Sequence, residues 1–299
     1  MTKTRAPTLR EFQDRFPTEE ACLDHLFQVR YGADFDCPGC GREARYSRVA
    51  KRRSYQCQWC AHQIYPTAGT PFERTRTPLR DWFFVMFQFC ASRNGVAAKE
   101  VERQLGVTYK TAWRMCHEIR KYMGEVDGSG PIGGDGKIVQ LDETFVGGRF
   151  DRGKRGGDPA EGKAIVFGML ECGGAVVTAL VPNRTRGTLF PLVKATVAPR
   201  SLLHTDEYRT YITVGNMAGM AYTHEAVNHR MGEYVCRRTG ATVNALEGFW
   251  ASLKRGINGT HIHVSSKHLP KYLGEFEYRW NMRQMPHLML PRLMASFAR

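Results

Sequence analysis

Residues 138–148 read IVQLDETFVGG. Ile138, Val139, Leu141, Phe145 and Val146 have the content of a buried β-strand, yet Asp142 and Glu143 sit within it. Taking a carboxylate out of water costs several kcal/mol unless it is paired or holds a metal, so the acids need an account. Outward from this strand, AIVFGMLECGGAVVTALV (164–181) reads as two apolar strands turning at Gly173 and Gly174, TLFPLVKATV (188–197) as a helix, and SLLHTD (201–206) as a buried strand ending in an acid. AYTHEAV (221–227) is a further short strand, while NALEGFWASLKRG (244–256) and KHLPKYLGEFEYRWNMRQ (267–284) are helical. Strands first, then alternating helices and strands, predict a mixed-sheet α/β domain over 138–299.

The acids recur at the ends of these elements. Asp206 closes its strand as Asp142 nears the end of its own. On the 244–256 helix, Leu246, Phe249, Trp250 and Leu253 form an apolar face, and Asn244, Glu247, Ala251 and Lys254 a separate stripe. Three carboxylates from two strands and one helix are the ingredients of a two-Mg²⁺ site, because Mg²⁺ is a hard cation that keeps oxygen ligands. Each acid also has a plainer role open to it. Asp142 could cap a helix, Asp206 could begin the turn TDEYRTY, and Glu247 could pair with Lys254 on a solvated face. Glu143 and Glu207 each follow one of the aspartates and point away from it on a strand. Glu275, Arg279 and Arg283, four apart, predict a buried ion pair first and contact with a nucleic-acid backbone second.

The first half of the chain has a different grammar. A helix over PTEEACLDHLFQVRYG (17–32), capped by Thr18 and stopped by Gly32, leads into CPGC (37–40) and CQWC (57–60). The spacing of Cys37, Cys40, Cys57 and Cys60 is that of a four-thiolate structural zinc site, with one Zn²⁺ and no open position for water. Between the pairs, a basic β-hairpin carries Arg45, Arg48, Lys51, Arg52 and Arg53. Helices follow over 79–92, 97–106 and 108–123, the last two with a helix-turn-helix cadence around Gly106. This leaves Tyr109, Lys110, Thr111 and Arg114 facing outward at the start of the second helix, where a major groove would meet them. The five remaining cysteines are scattered, which argues against a disulfide framework.

The expected domains are an N-terminal helical segment (1–36), a zinc ribbon (37–70), a helix-turn-helix domain (71–123), a Gly-rich linker (124–137) and the α/β domain (138–299). Lys and Arg number 43 against 29 Asp and Glu, a formal charge of +14, which calls for a polyanionic partner. A basic loop at 149–157, with Arg152, Lys154 and Arg155, adds to that charge. The opening residues lack the apolar core of a signal peptide, and WFFVMFQFCA (82–91) is too short to span a bilayer, so a soluble, cytoplasmic protein without a membrane partner is expected.

CPGC…CQWC, LDETFVGG, HTDEYRTY and NALEGFWASLKRGINGTHIHVSSKHLPKYLGEFEYRWNMR together resemble the DDE transposases of bacterial insertion sequences, in the branch with an N-terminal zinc ribbon. The resemblance covers nearly the whole chain. It implies an RNase H-like catalytic domain, Asp142 and Asp206 as metal ligands, Glu247 as the third acid and Lys254 on DNA phosphate, with two catalytic Mg²⁺ that Mn²⁺ could replace. Some members are described with asparagine third, which keeps Asn244, one turn before Glu247, as a supporting or alternative ligand; an anionic oxygen is the stronger Mg²⁺ ligand. It further implies double-stranded DNA, terminal inverted repeats and target, as partner, and a homodimer or larger assembly. A DNA-binding regulator, or an RNase H-like nuclease without strand transfer, would share parts of this pattern.

Overall fold

The structure, a computed structural model, describes residues 5–32, 35–126, 130–147, 162–227, 235–236 and 240–298. Two compact units emerge: residues 1–92, 96–126 and 282–299 form one, and 93–95 with 127–281 the other.

In the first unit, Thr8 caps α1 (Leu9–Arg15) through a box with Glu11, and Thr18 caps α2 (Glu19–Tyr31), which Gly32 ends at φ +74°. Only glycine adopts that backbone without strain. The ribbon follows as β1 (Phe35–Asp36) paired with β2 (Glu43–Ala44), and an antiparallel sheet of β3 (Tyr46–Arg48), β4 (Tyr55–Cys57) and β5 (Gln63–Ile64). The hairpin expected between the cysteine pairs is β3–β4. Strands of two or three residues bury little, and the ribbon's own apolar cluster holds only Cys37, Ala44 and Cys57, flanked by Cys40 and Tyr46. Aromatic stacking fastens it to α2, with Phe27 on Tyr55 at 4.2 Å and Tyr31 on Phe35 at 4.9 Å between centroids, and Phe35 stacks in turn on Tyr46 within the ribbon at 4.7 Å. Three helices follow, α3 (Leu79–Ala91), α4 (Ala98–Leu105) and α5 (Tyr109–Val126). Gly106 closes α4 in the left-handed region, and Val101, Ala112, Met115, Cys116 and Ile119 are fully buried.

In the second unit, β6 (Ile132–Gly133) lies within the expected linker and pairs in parallel with β10 (Val197–Ala198). The main sheet begins with β7 (Ile138–Val146), β8 (Ala164–Glu171) and β9 (Val176–Val181), an antiparallel meander. After α6 (Arg186–Thr196), β11 (Leu202–Asp206) joins the free edge of β7 in parallel, and β12 (Thr223–Val227) joins β11 in parallel. The order β12-β11-β7-β8-β9 is that of an RNase H-like mixed sheet. Two helices complete the unit, α7 (Asn244–Arg255) and α8 (Leu269–Asn281). Strand alternation supplies a core to each face: Leu141, Phe167 and Met169 pack with Leu189 and Val193 of α6, while Val166 and Leu170 pack with Leu246, Trp250 and Leu253 of α7. The edge strand β9 is covered by α8, whose Asn281 bonds both backbone groups of Val176 and whose Glu277 accepts from the Thr178 N–H. Unpaired edge groups are thereby satisfied within the unit. The ion pair expected on α8 is Glu275–Arg279, both buried.

The final helix, α9 (Pro286–Phe297), corrects the boundary expected for the α/β domain. It belongs to the first unit, where Phe297 stacks on Phe72 and Tyr122 at 5.4 and 4.1 Å. Its apolar face fits the rings of the helical unit, a match that helical periodicity cannot reveal.

Candidate active site

Register brings the first two acids together. β11 pairs with β7 as Leu202–Ile138, Leu203–Val139 and His204–Gln140. Carrying that register two residues further sets Asp206 level with Asp142. The ladder has ended by then, so the strands part at the acids. β11 ends at Asp206, whereas Asp142 lies midway along β7, which runs on to Val146 beside β8. Asp206 is also fixed by its turn, its Oδ1 accepting from the Tyr208 N–H at 2.9 Å.

The third element is aligned by two hydrogen bonds. The buried Gln140 accepts from the Leu246 N–H at 2.9 Å, and Asp142 Oδ2 accepts from the Trp250 indole Nε1–H at 3.0 Å. Gln140 and Asp142 lie on one face of β7, about 7 Å apart along the strand. Leu246 and Trp250 are one turn apart on α7, about 6 Å. Helix and strand therefore run in step, with Glu247 next to Leu246 on α7, Asn244 one turn before it and Lys254 two turns beyond. All three are exposed, as the stripe on α7 predicts.

Burial and the Asp206 charge push the Asp142 carboxyl up to about 7, and Glu247 adds to the rise, against the Glu143 N–H and the Trp250 indole, which favour the charged form. Such mutual repulsion is relieved by a divalent cation, so the donor set fits Mg²⁺. Glu143 points to the opposite face of β7, towards Tyr211, and is itself raised to about 7, chiefly by burial. The Tyr211 hydroxyl faces that carboxyl and opposes the rise by hydrogen bonding to its charged form. Sequence reasoning gave Gln140 and Trp250 no part here. A buried amide two residues before Asp142, on the same face, was the available signal.

The four cysteines meet as spaced: their sulfurs all lie within 4.8 Å of one another. Gly39 and Trp59 N–H groups each donate to a sulfur, Cys37 and Cys57 respectively, at 3.4 Å. Burial opposes a thiolate at Cys37, but Tyr46 and the Gly39 and Cys40 N–H groups bring it down to about 6. At Cys60 the His62 N–H favours the thiolate, while burial and the other three sulfurs hold the thiol up to about 12. This donor set fits Zn²⁺, which displaces the protons.

Comparison with known proteins finds two family domains in the chain. Residues 133–281 match the ISXO2-like transposase domain, and residues 17–63 the transposase zinc-ribbon domain. A transposase-like protein of Haemophilus influenzae is 31% identical over 114 residues, 36% of this chain and 80% of that protein. The chain belongs to the ISXO2-like transposases. A protein of the transposable element ISH50 of Halobacterium salinarum is 27% identical over 288 residues, 91% of this transposase and 94% of that protein. A chain of the pre-cleavage Mos1 transpososome is similar at 11% identity, with a TM-score of 0.28 over 73% of this chain and 79% of that one.

The transposase carries its expected DNA contacts unevenly. Arg45, Arg48, Lys51 and Arg52 are exposed on the ribbon, whereas Arg53 is half-buried and bonds Glu19 on α2 at 2.8 Å. Arg53 therefore braces the ribbon against α2. On α5, Tyr109, Lys110 and Arg114 are exposed, while Thr111 bonds the Thr108 hydroxyl at 3.0 Å. Arg152, Lys154 and Arg155 lie outside the described residues. Among the described residues, no helix is long and apolar enough to cross a membrane.

A pH dependence follows from the raised acids. A carboxyl whose folded pKa lies above its unfolded value adds stability below the unfolded pKa and loses it as pH rises through the folded one. Without Mg²⁺ but with zinc retained, wild-type protein should lose stability relative to Asp142→Asn between about pH 4 and pH 8. The difference is at most ~4 kcal/mol for a carboxyl raised from the usual carboxylate range to about 7, and less where water reaches it. Melting temperatures of the two proteins across that range check this; parallel curves would contradict it.

Proposed function

We propose that this transposase binds the terminal inverted repeats of its element through the zinc ribbon and the α4–α5 helix pair, hydrolyses the 3′ ends, and joins them to target DNA. The observation that carries the reading is the register that sets Asp206 level with Asp142, while the Trp250 indole ties α7, which bears Glu247, to Asp142; burial first, and then the charges of Asp206 and Glu247, raise the Asp142 carboxyl. Asp142, Asp206 and Glu247 would hold two Mg²⁺, which when bound activate the attacking oxygen and stabilise the leaving one in an in-line displacement. Asn244 supports from the preceding turn of α7. Lys254, two turns past Glu247 on the same exposed stripe, is placed to hold a DNA phosphate and so orient the scissile bond. The exposed arginines of the ribbon and Lys110 and Arg114 of α5 supply the backbone charge that positions the duplex.

Two ends cut together call for at least two protomers. A strand-transfer assay with an end-bearing duplex and a supercoiled target tests the reading. Wild type should nick the 3′ end and join it in Mg²⁺. Glu247→Gln should lose both steps by roughly a thousandfold, and Asn244→Ala by far less. Joining that survives Glu247→Gln while Asn244→Ala abolishes it would transfer the third ligand to Asn244.

A further inference from the structure

We infer that Trp250 is a positioning residue for Asp142: its indole N–H takes one carboxylate oxygen and thereby presents the other, in a fixed orientation, to a divalent cation. This rests on the reading of Asp142 as a metal ligand. The 3.0 Å bond from Trp250 Nε1 to Oδ2 joins two groups that are otherwise held independently, the acid by the β7–β8 ladder and the indole by the apolar face of α7. Trp250 is only 4% exposed, so water does not compete for the N–H. An indole is a donor only, with a single N–H. It can therefore orient the carboxylate but cannot displace a cation from it.

The sheet is shaped to admit the ring. The residue paired with Asp142 across the β7–β8 ladder is Gly168. A Cβ there would stand 2.7 Å from Trp250 Cη2 and 3.0 Å from Leu246 Cδ1, inside contact distance. Gly168 is at a strand position where φ makes no demand for glycine, so what its missing side chain provides is room. The indole lies across that gap and reaches Asp142 on the neighbouring strand. Gln140 sets the axial position of α7 one turn earlier, so the donor and its acceptor stay in step.

An indole that only filled the core would be replaceable by a ring of similar bulk without consequence for the cation. One that orients Asp142 would not. Partners that orient a metal ligand typically change metal affinity 10–100-fold when lost. The test is Mn²⁺ binding to the full-length, zinc-loaded protein, followed by calorimetry, with melting temperature measured on each variant.

Trp250→Phe should weaken Mn²⁺ binding roughly tenfold in wild type but cause no further loss in an Asp142→Asn background, where Asp206 and Glu247 remain as ligands. Gly168→Ala should weaken binding in the same direction, and should add little to Trp250→Phe, because the smaller ring leaves space for the methyl group. Wild-type Mn²⁺ affinity in Trp250→Phe, with affinity reduced in Asp142→Asn, would overturn the role of Trp250 and leave the acid site standing. Equal losses from Trp250→Phe with and without Asp142 would overturn it too, marking the ring as packing alone. Unchanged binding in both Asp142→Asn and Glu247→Gln would instead overturn the metal-site reading, and the inference with it.

Discussion

Asp142→Asn is expected to reduce 3′-end cleavage by roughly a thousandfold or more, about 4 kcal/mol of transition-state stabilisation, while DNA affinity changes by no more than about twofold. The two effects separate because Asp142 sits on β7, its carboxylate bonded by the Trp250 indole N–H at 3.0 Å, and contributes no positive charge to the duplex. Affinity for DNA depends instead on the number of phosphates neutralised by Lys and Arg. Asparagine keeps the shape and can still accept the indole N–H through its carbonyl oxygen, so the fold is preserved. It has lost the anionic oxygen that a hard cation requires. Single-turnover cleavage of an end-bearing duplex, beside an electrophoretic shift on the same DNA, reads both quantities. Cleavage within tenfold of wild type would remove Asp142 from the chemistry.

Removal of zinc is expected to unfold the ribbon and to abolish specific binding to the element's ends, while the sheet unit keeps its own melting transition. The argument is one of size. Strands of two and three residues around Cys37, Ala44 and Cys57 enclose too little apolar surface to fold on their own. Structural zinc contributes on the order of 10–16 kcal/mol in comparable small sites. The rings of Phe27, Tyr31, Phe35, Tyr46 and Tyr55 would keep some contact with α2 without it, but they do not fix the CPGC and CQWC turns. Amide spectra of the full-length protein with and without chelator measure the outcome. Retained dispersion for residues 35–64 after zinc loss would show that ring packing suffices. Zinc affinity should also fall as pH is lowered, since four thiols must lose their protons, and Cys60 holds its proton up to about 12.

Several features were legible in the chain because they are local. The CxxC turns place two thiolates by spacing alone, and the sulfurs of Cys37, Cys40, Cys57 and Cys60 meet as that spacing predicts. Thr18 and Gly32 bound α2 because a cap and a stop act on neighbouring backbone groups. Alternation along 138–146 put Asp142 and Glu143 on opposite faces, and the 3.6-residue period set Glu247 apart from Leu246, Phe249, Trp250 and Leu253. That the sheet is mixed, with a hairpin at Gly173 and Gly174, also followed from the order of apolar segments.

Other features depend on contacts between distant segments, and no window of sequence contains them. Arg53 reads like its basic neighbours but is drawn to Glu19 on α2. The helix at 286–297 is apolar on the face that meets Phe72, Trp82 and Tyr122, so it joins the helical unit, not the sheet. Trp250 reads as core, which it is, yet its one polar atom reaches Asp142 across more than a hundred residues because the opposing position is Gly168. By itself the sequence determined the types of element, the four-thiolate site and the candidate acids, since caps, periodicity and ligand spacing are short-range. Tertiary structure alone decided that Asp206 stands level with Asp142, through the register of β11 on β7, and that the Trp250 indole bonds Asp142, because register and cross-sheet packing are settled only when the whole core closes.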